Sequence, residues 1–166
     1  VDYILIGGAM AAAFLQAKSY EVGLSLIDDS LNIVASLMER TLSNRVELVL
    51  PDDVGVTHEI SPEDLVQNVS IKDIPPDKRI VDIGALTISR FTRELERCKT
   101  VFWNGPMGIY EIPRFAEGTK TMAKIIAGLN ASTVVGGGST AEIVTEMKLA
   151  DKMTVVSTGG GASLRF

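Results

Sequence analysis

The chain has 166 residues, 46% of them hydrophobic, and a formal net charge of −5 at neutral pH. That length and apolar content suit one compact domain, residues 1–166, with a core of its own, and exclude a disordered chain. The acidic balance argues against a partner with a phosphate backbone, so no nucleic acid is expected, and no stretch approaches the roughly 20 apolar residues of a membrane span.

In chain order, Tyr3 to Ile6 is a short apolar run that feeds the tight turn Gly7-Gly8. Met10 to Lys18 reads as a helix. A second helix runs to about Leu42, with Asp28 placed to cap it and Leu31, Val34, Ala35, Leu37 and Met38 on its buried face. Val46 to Leu50 is a strand closed by Pro51. Val54 to Ile71 lacks a helical period and reads as a small β-excursion with loops. After Pro75-Pro76, Arg79 to Ile83 is a strand into Gly84, and Thr87 to Arg97 is a helix. Thr100 to Trp103 and Ser132 to Val135 are strands, each ending in glycines, with a helix over Thr119 to Leu129 between them. Ser139 to Lys148 is a helix, and Met153 to Val156 is a final strand into another glycine run.

Strands alternating with helices at this spacing predict an α/β fold, a doubly wound, Rossmann-like parallel sheet in three layers, with the β-excursion around residues 54–71 as its one departure. The glycines carry the functional signal. Loops at Gly7, Gly105, Gly136 and Gly159 each follow a strand directly, and in an open α/β sheet such loops share the carboxyl edge, where ligands bind.

Thr158-Gly159-Gly160-Gly161-Ala162-Ser163 leaves several backbone N–H groups unblocked ahead of a helix start, which suits a phosphate; a tight strand-to-helix turn would need the same glycines. Gly136-Gly137-Gly138-Ser139-Thr140 repeats the design, with Ser139 able to cap the helix or to meet a phosphate. Asn104-Gly105-Pro106-Met107-Gly108 is a rigid turn headed by an amide. Glu111, just beyond it, could accept hydrogen bonds from ribose hydroxyls or be a solvated surface acid.

Other chemistries lack their residues. No Gly-Lys-Ser or Gly-Lys-Thr is present, and Gly7-Gly8 lacks the third glycine of a dinucleotide fingerprint. His58, the only histidine, reads as a surface residue, so hydrolase triads and histidine-based metal sites are not expected. Cys98 is the only cysteine, which excludes an intrachain disulfide and fits a reducing, cytoplasmic setting. Val1 has no basic leader before it and reads as a strand entered mid-protein; both ends look cut.

Four segments come in a telling order: Ile6-Gly7-Gly8-Ala9-Met10-Ala11, then Trp103-Asn104-Gly105-Pro106-Met107-Gly108-Ile109-Tyr110-Glu111, then Gly136-Gly137-Gly138-Ser139-Thr140, then Ser157-Thr158-Gly159-Gly160-Gly161-Ala162-Ser163-Leu164. Together they resemble phosphoglycerate kinase, in its C-terminal, nucleotide-binding domain, and the similarity includes Leu50-Pro51 and Val81-Asp82-Ile83-Gly84. The resemblance implies a glycolytic enzyme that moves a phosphoryl group between 1,3-bisphosphoglycerate and ADP, with Mg²⁺. It implies a second, N-terminal domain that binds phosphoglycerate and is not in this sequence.

Carried over position by position, the resemblance places Gly7 and Gly8 at the adenine with Ile60, Val81, Gly108 and Ile109, and Glu111 at the ribose. Asn104 and Thr140 would contact the phosphates, within a nucleotide site that includes Gly136, Gly137, Gly138 and Ser139. Gly159, Gly160 and Gly161 would offer N–H groups to the transferring phosphoryl. The sequence departs from the family pattern at Ser139, where an Asp that reaches the metal is usual, so no metal ligand is assigned. It also departs at Ala9, Ala85, Val155 and Arg165, and the paired phosphate-contacting lysines would lie upstream of Val1.

The expected partners are therefore ADP or ATP with Mg²⁺, on a monomer that binds nucleotide without turnover. A non-catalytic nucleotide-binding or scaffold module, and a fragment made to study folding, are the alternatives.

Overall fold

The computed structural model describes residues 1–27, 31–157 and 159, with the backbone alone at 31 and 32. The elements follow as β1 (Tyr3–Leu5), α1 (Ala9–Ala17), α2 (Leu31–Ser43), β2 (Glu47–Val49), β3 (Asp53–Thr57), β4 (Gln67–Ser70), β5 (Arg79–Ile83), α3 (Ala85–Glu96), β6 (Thr100–Asn104), α4 (Glu117–Ala127), β7 (Ser132–Gly136), α5 (Gly138–Glu146) and β8 (Val155–Ser157). From β5 onward the order is the strand–helix alternation that the apolar runs and glycines predict, whereas β2 to β5 follow one another without a helix.

The parallel part is built as expected for an α/β fold. β1 pairs with β2, and β7 lies between β6 and β8, all in parallel. The register sets Asn104 beside Gly136 and Gly136 beside Ser157. The loops at Gly105, Gly137 and Gly159 therefore leave the sheet at one level, on its carboxyl edge.

The antiparallel part is larger than the sequence suggests. β3 pairs antiparallel with β4 and also with β5, with a register shift between Gly55 and Val56. The excursion thus draws in Arg79–Ile83, which alternation alone would assign to the parallel sheet. β3 is buried along its whole length because it is the central strand of three.

Two cores hold these parts. One joins α1 and α2 to β3 through Phe14, Leu15, Val34, Val54 and Val56. The other joins α3, α4 and α5 to β6 and β7 through Phe91, Leu95, Met122, Ile126, Val144, Trp103 and Val135. On α2, Val34 is buried and Leu37 and Met38 are half-buried, but Ala35 is exposed, a correction to the face read from periodicity. Asp28 as a cap and Leu31 as a core residue fall outside what is described. Among the described residues no helix is long and apolar enough to cross a membrane.

Candidate functional site

The turns at Gly7-Gly8 and Gly105–Gly108 line a cleft of about 460 Å³. Its lining includes Gly7, Gly8, Ile60, Val81, Asn104, Gly108, Ile109, Glu111 and Ser139, all of them candidates from the sequence. Close backbone approach explains the glycines on its floor. The Gly8 N–H donates to the Met107 carbonyl at 3.0 Å, and Gly8 has φ of +61° with no room for a Cβ against the Pro106 carbonyl. The Ile109 N–H donates to the Val81 carbonyl at 2.9 Å. The 105–111 segment is thereby tied to the first glycine turn on one side and to β5 on the other.

The remaining candidates lie around the cleft and not in its lining. Gly137 has φ of +93°, a conformation that suits glycine, and it turns the chain from β7 into α5. A Cβ there would stand 3.1 Å from the Asn104 side-chain oxygen. α5 begins at Gly138 with Gly137 as its cap residue and no side-chain cap. Ser139 is therefore inside the first turn and faces the cleft, which corrects the reading of Ser139 as an N-cap. Thr140 is fully buried, and its hydroxyl accepts the Gly105 N–H at 2.8 Å, so it braces the Asn104–Gly105 turn from below. Gly136 is buried in the sheet, and Gly138 has open space around its Cα. Gly159 is exposed, with its N–H donated to the Ser157 hydroxyl at 3.3 Å. Gly160 and Gly161 lie outside the described residues.

Glu111 is exposed at the cleft rim, and Ile60 is half exposed opposite. Next to Glu111, the Tyr110 hydroxyl donates to Glu142 on α5 at 3.3 Å. Arg79 also lines the cleft and donates to the His58 carbonyl at 2.8 Å; His58 itself faces Asp77 at 3.3 Å on the surface. The structure adds one residue that the glycine pattern does not single out. Asp82 is 5% exposed, and its carboxylate accepts the Ile83 N–H at 2.9 Å and the Gly118 N–H at 2.7 Å. Burial pushes its pKa up to about 6, against the pull of those two N–H groups and with a smaller push from Glu117. The signal for it was a lone acid in an apolar strand just before a glycine.

No group of His, Cys, Asp and Glu among the described residues could hold a metal ion. The cleft offers backbone, one amide, hydroxyls and apolar walls, with Arg79, Asp82 and Glu111 as its charged side chains.

The sequence pattern of the family described as phosphoglycerate kinase matches residues 1–166, the whole chain. The chain belongs to the phosphoglycerate kinase family. It is 45% identical over 167 residues to phosphoglycerate kinase from Roseiflexus sp. (strain RS-1), covering 100% of this chain and 42% of that protein. It is 46% identical over 167 residues to phosphoglycerate kinase from Macrococcus caseolyticus, covering 99% and 41%. Phosphoglycerate kinase from Coxiella burnetii superposes with a TM-score of 0.95 at 35% identity, over 100% of this chain and 44% of that one. The enzyme from Pyrococcus horikoshii superposes at 0.84 with 26% identity, over 99% and 42%. The chain thus spans about two fifths of the length of the curated relatives it matches.

Proposed function

We propose that this chain is the C-terminal, nucleotide-binding domain of a phosphoglycerate kinase, whose activity is phosphoryl transfer between 1,3-bisphosphoglycerate and ADP. The observation that carries the reading is the single cleft that gathers Gly7, Gly8, Val81, the 105–111 segment and Ser139. Its apolar walls, Ile60, Val81 and Ile109 with the Gly7-Gly8 floor, accept the adenine. Glu111 at the rim takes the ribose hydroxyls. The phosphates run toward Asn104 and the start of α5, where a helix N-terminus presents N–H groups and a positive dipole end. Gly159 belongs on the edge that the transferring phosphoryl faces, since β8 ends level with β7; Gly160 and Gly161 are assigned to the same role by the family pattern.

Magnesium would enter as the nucleotide complex. Ser139 offers a neutral hydroxyl where a hard cation favours charged oxygen, so the phosphates hold the metal and this chain adds at most that hydroxyl. When bound, the ion neutralises phosphate charge. The chain's own residues bind and orient the nucleoside and exclude water from it. The phosphoglycerate site belongs to another domain of the whole kinase, so residues 1–166 by themselves bind ADP or ATP as a cytoplasmic monomer and do not turn over.

The test is calorimetric titration of ADP into the purified chain and into Glu111→Ala. The parent binds, and the variant binds about tenfold more weakly or worse, the loss expected for a hydrogen bond to a charged group. Equal affinities would return Glu111 to the solvated surface. No binding by the parent would favour a scaffold role.

A further inference from the structure

We infer that Asp82 is a positioning residue of the cleft: it anchors the first turn of α4, which in turn sets the 105–111 wall against the Gly7-Gly8 floor. This rests on the reading of the cleft as a nucleotide site, and adds to that site a residue that acts through the wall it holds in place.

Asp82 sits in a cage of three glycines from three different elements. Gly55 of β3 is its register partner, and a Cβ there would lie 3.6 Å from the Asp82 Cβ. A Cβ on Gly108 would lie 2.6 Å from Asp82 Oδ1, and one on Gly118 would collide with the same oxygen. No Lys, Arg or His among the described residues forms an ion pair with this buried acid. Burying a carboxylate without a counter-charge is costly. An apolar side chain of similar size would avoid that cost but would leave the Gly118 N–H without an acceptor.

The bonds run on from there without a gap. Helix α4 has no side-chain cap of its own, and Ala116 at its cap position cannot supply one. Asp82 Oδ2 takes the Gly118 N–H in that first turn at 2.7 Å. The next residue, Thr119, is fully buried, and its hydroxyl accepts the Met107 N–H at 2.9 Å. The Met107 carbonyl then accepts the Gly8 N–H at 3.0 Å. Asp82, the α4 start, the middle of the 105–111 segment and the glycine floor are thus one hydrogen-bonded series, and each member but Thr119 and Gly118 lines the cleft. If the α4 start shifts, Met107 shifts with it, and the gap between floor and wall changes. A positioning error of this kind degrades binding although every contacting residue is intact.

The variant Asp82→Asn keeps shape and volume but presents an amide NH₂ to one of the two N–H donors. ADP affinity should fall about tenfold, the cost of about one lost hydrogen bond at 1.4 kcal/mol per factor of ten. Adenosine should lose as much as ADP, because the disturbed wall contacts the nucleoside half. The backbone amide resonances of Met107, Gly108, Ile109 and Gly118 should move in the free protein, and those of Ile143 and Val144 on α5 should not. A second variant, Thr119→Val, cuts the same series from the other side and leaves the carboxylate in place; the same loss is expected. If the parent binds ADP and either folded variant binds it within about twofold of the parent, the inference fails while the nucleotide reading stands. If the parent does not bind ADP, that reading fails and takes the inference with it.

Discussion

Two neighbouring helices start without a side-chain cap of their own, and each is capped by an aspartate from the antiparallel sheet. At α3 the acid is Asp53 of β3, and at α4 it is Asp82 of β5. Asp53 is richly supplied. It accepts the Leu86 N–H at 3.1 Å and the Thr87 N–H at 2.8 Å, and the Thr87 hydroxyl lies 2.8 Å from its carboxylate and 2.6 Å from its carbonyl oxygen. The Thr87 hydroxyl also receives the Asp52 and Asp53 N–H groups, each at 3.0 Å. Asp82 has two N–H donors, one of them from its own neighbour. The same side chain in the same role thus forms a dense staple away from the cleft in one case and a sparsely supported acid beside it in the other. The number of donors, and not burial, separates them, for both are under a tenth exposed.

The largest effect that would sharpen this contrast is on stability. Asp53→Ala strands the buried Thr87 N–H and the partly buried Leu86 N–H, and leaves the Thr87 hydroxyl only the backbone carbonyl of residue 53 as acceptor. It should cost about 2–4 kcal/mol by denaturant unfolding, at roughly 1–3 kcal/mol for each of the two N–H groups and less for the partly buried one. ADP affinity of the folded fraction should be unchanged, since Asp53 does not line the cleft. A cost below about 1 kcal/mol would mean that water replaces the staple.

The second effect is a pH dependence specific to Asp82. Its folded pKa of about 6 lies above its ordinary value of 3.8, so the folded state holds the proton more tightly than the unfolded chain. The stability this contributes is fully present below 3.8 and is lost as the pH rises through about 6. The unfolding free energy of the parent minus that of Asp82→Asn should therefore grow as the pH falls from 7 to 4, by about 2–3 kcal/mol. A difference that stays flat over that range would show that Asp82 does not titrate there.

The smallest effect uses α5, which starts with no carboxylate at all. Gly138 opens this helix with nothing within 4 Å of a Cβ and no positive φ. Gly138→Ala should stabilise the fold by about 0.4–1 kcal/mol through the unfolded chain, read as a small rise in Tm. If phosphate packs on this turn, the same variant should bind ADP more weakly. Raised Tm with unchanged affinity would remove Gly138 from the site.

Much of this protein was legible from local pattern. Apolar runs of strand length, each followed by glycine, located β1, β6 and β7 and the turns after them, because strand ends and helix starts are written within a few neighbouring residues. The family segments named most of the residues that line the cleft for the same reason: Gly7-Gly8 and Asn104 to Glu111 are contiguous stretches. What pattern could not give is orientation and convergence. Arg79–Ile83 reads equally well as a parallel strand, and only its pairing with β3, more than twenty residues earlier, makes it antiparallel. Ser139 reads as a cap until the backbone of Gly137 takes that place. Asp82 reads as one acid in an apolar strand, and its meaning comes from Gly55, Gly108 and Gly118, which are distant in sequence and meet only when the sheets and α4 pack. Sequence alone determined the elements, the glycine turns and the family. The tertiary structure decided which strand faces which and which buried acid supports the cleft, because hydrogen-bond partners and excluded volume are properties of residues brought together by packing.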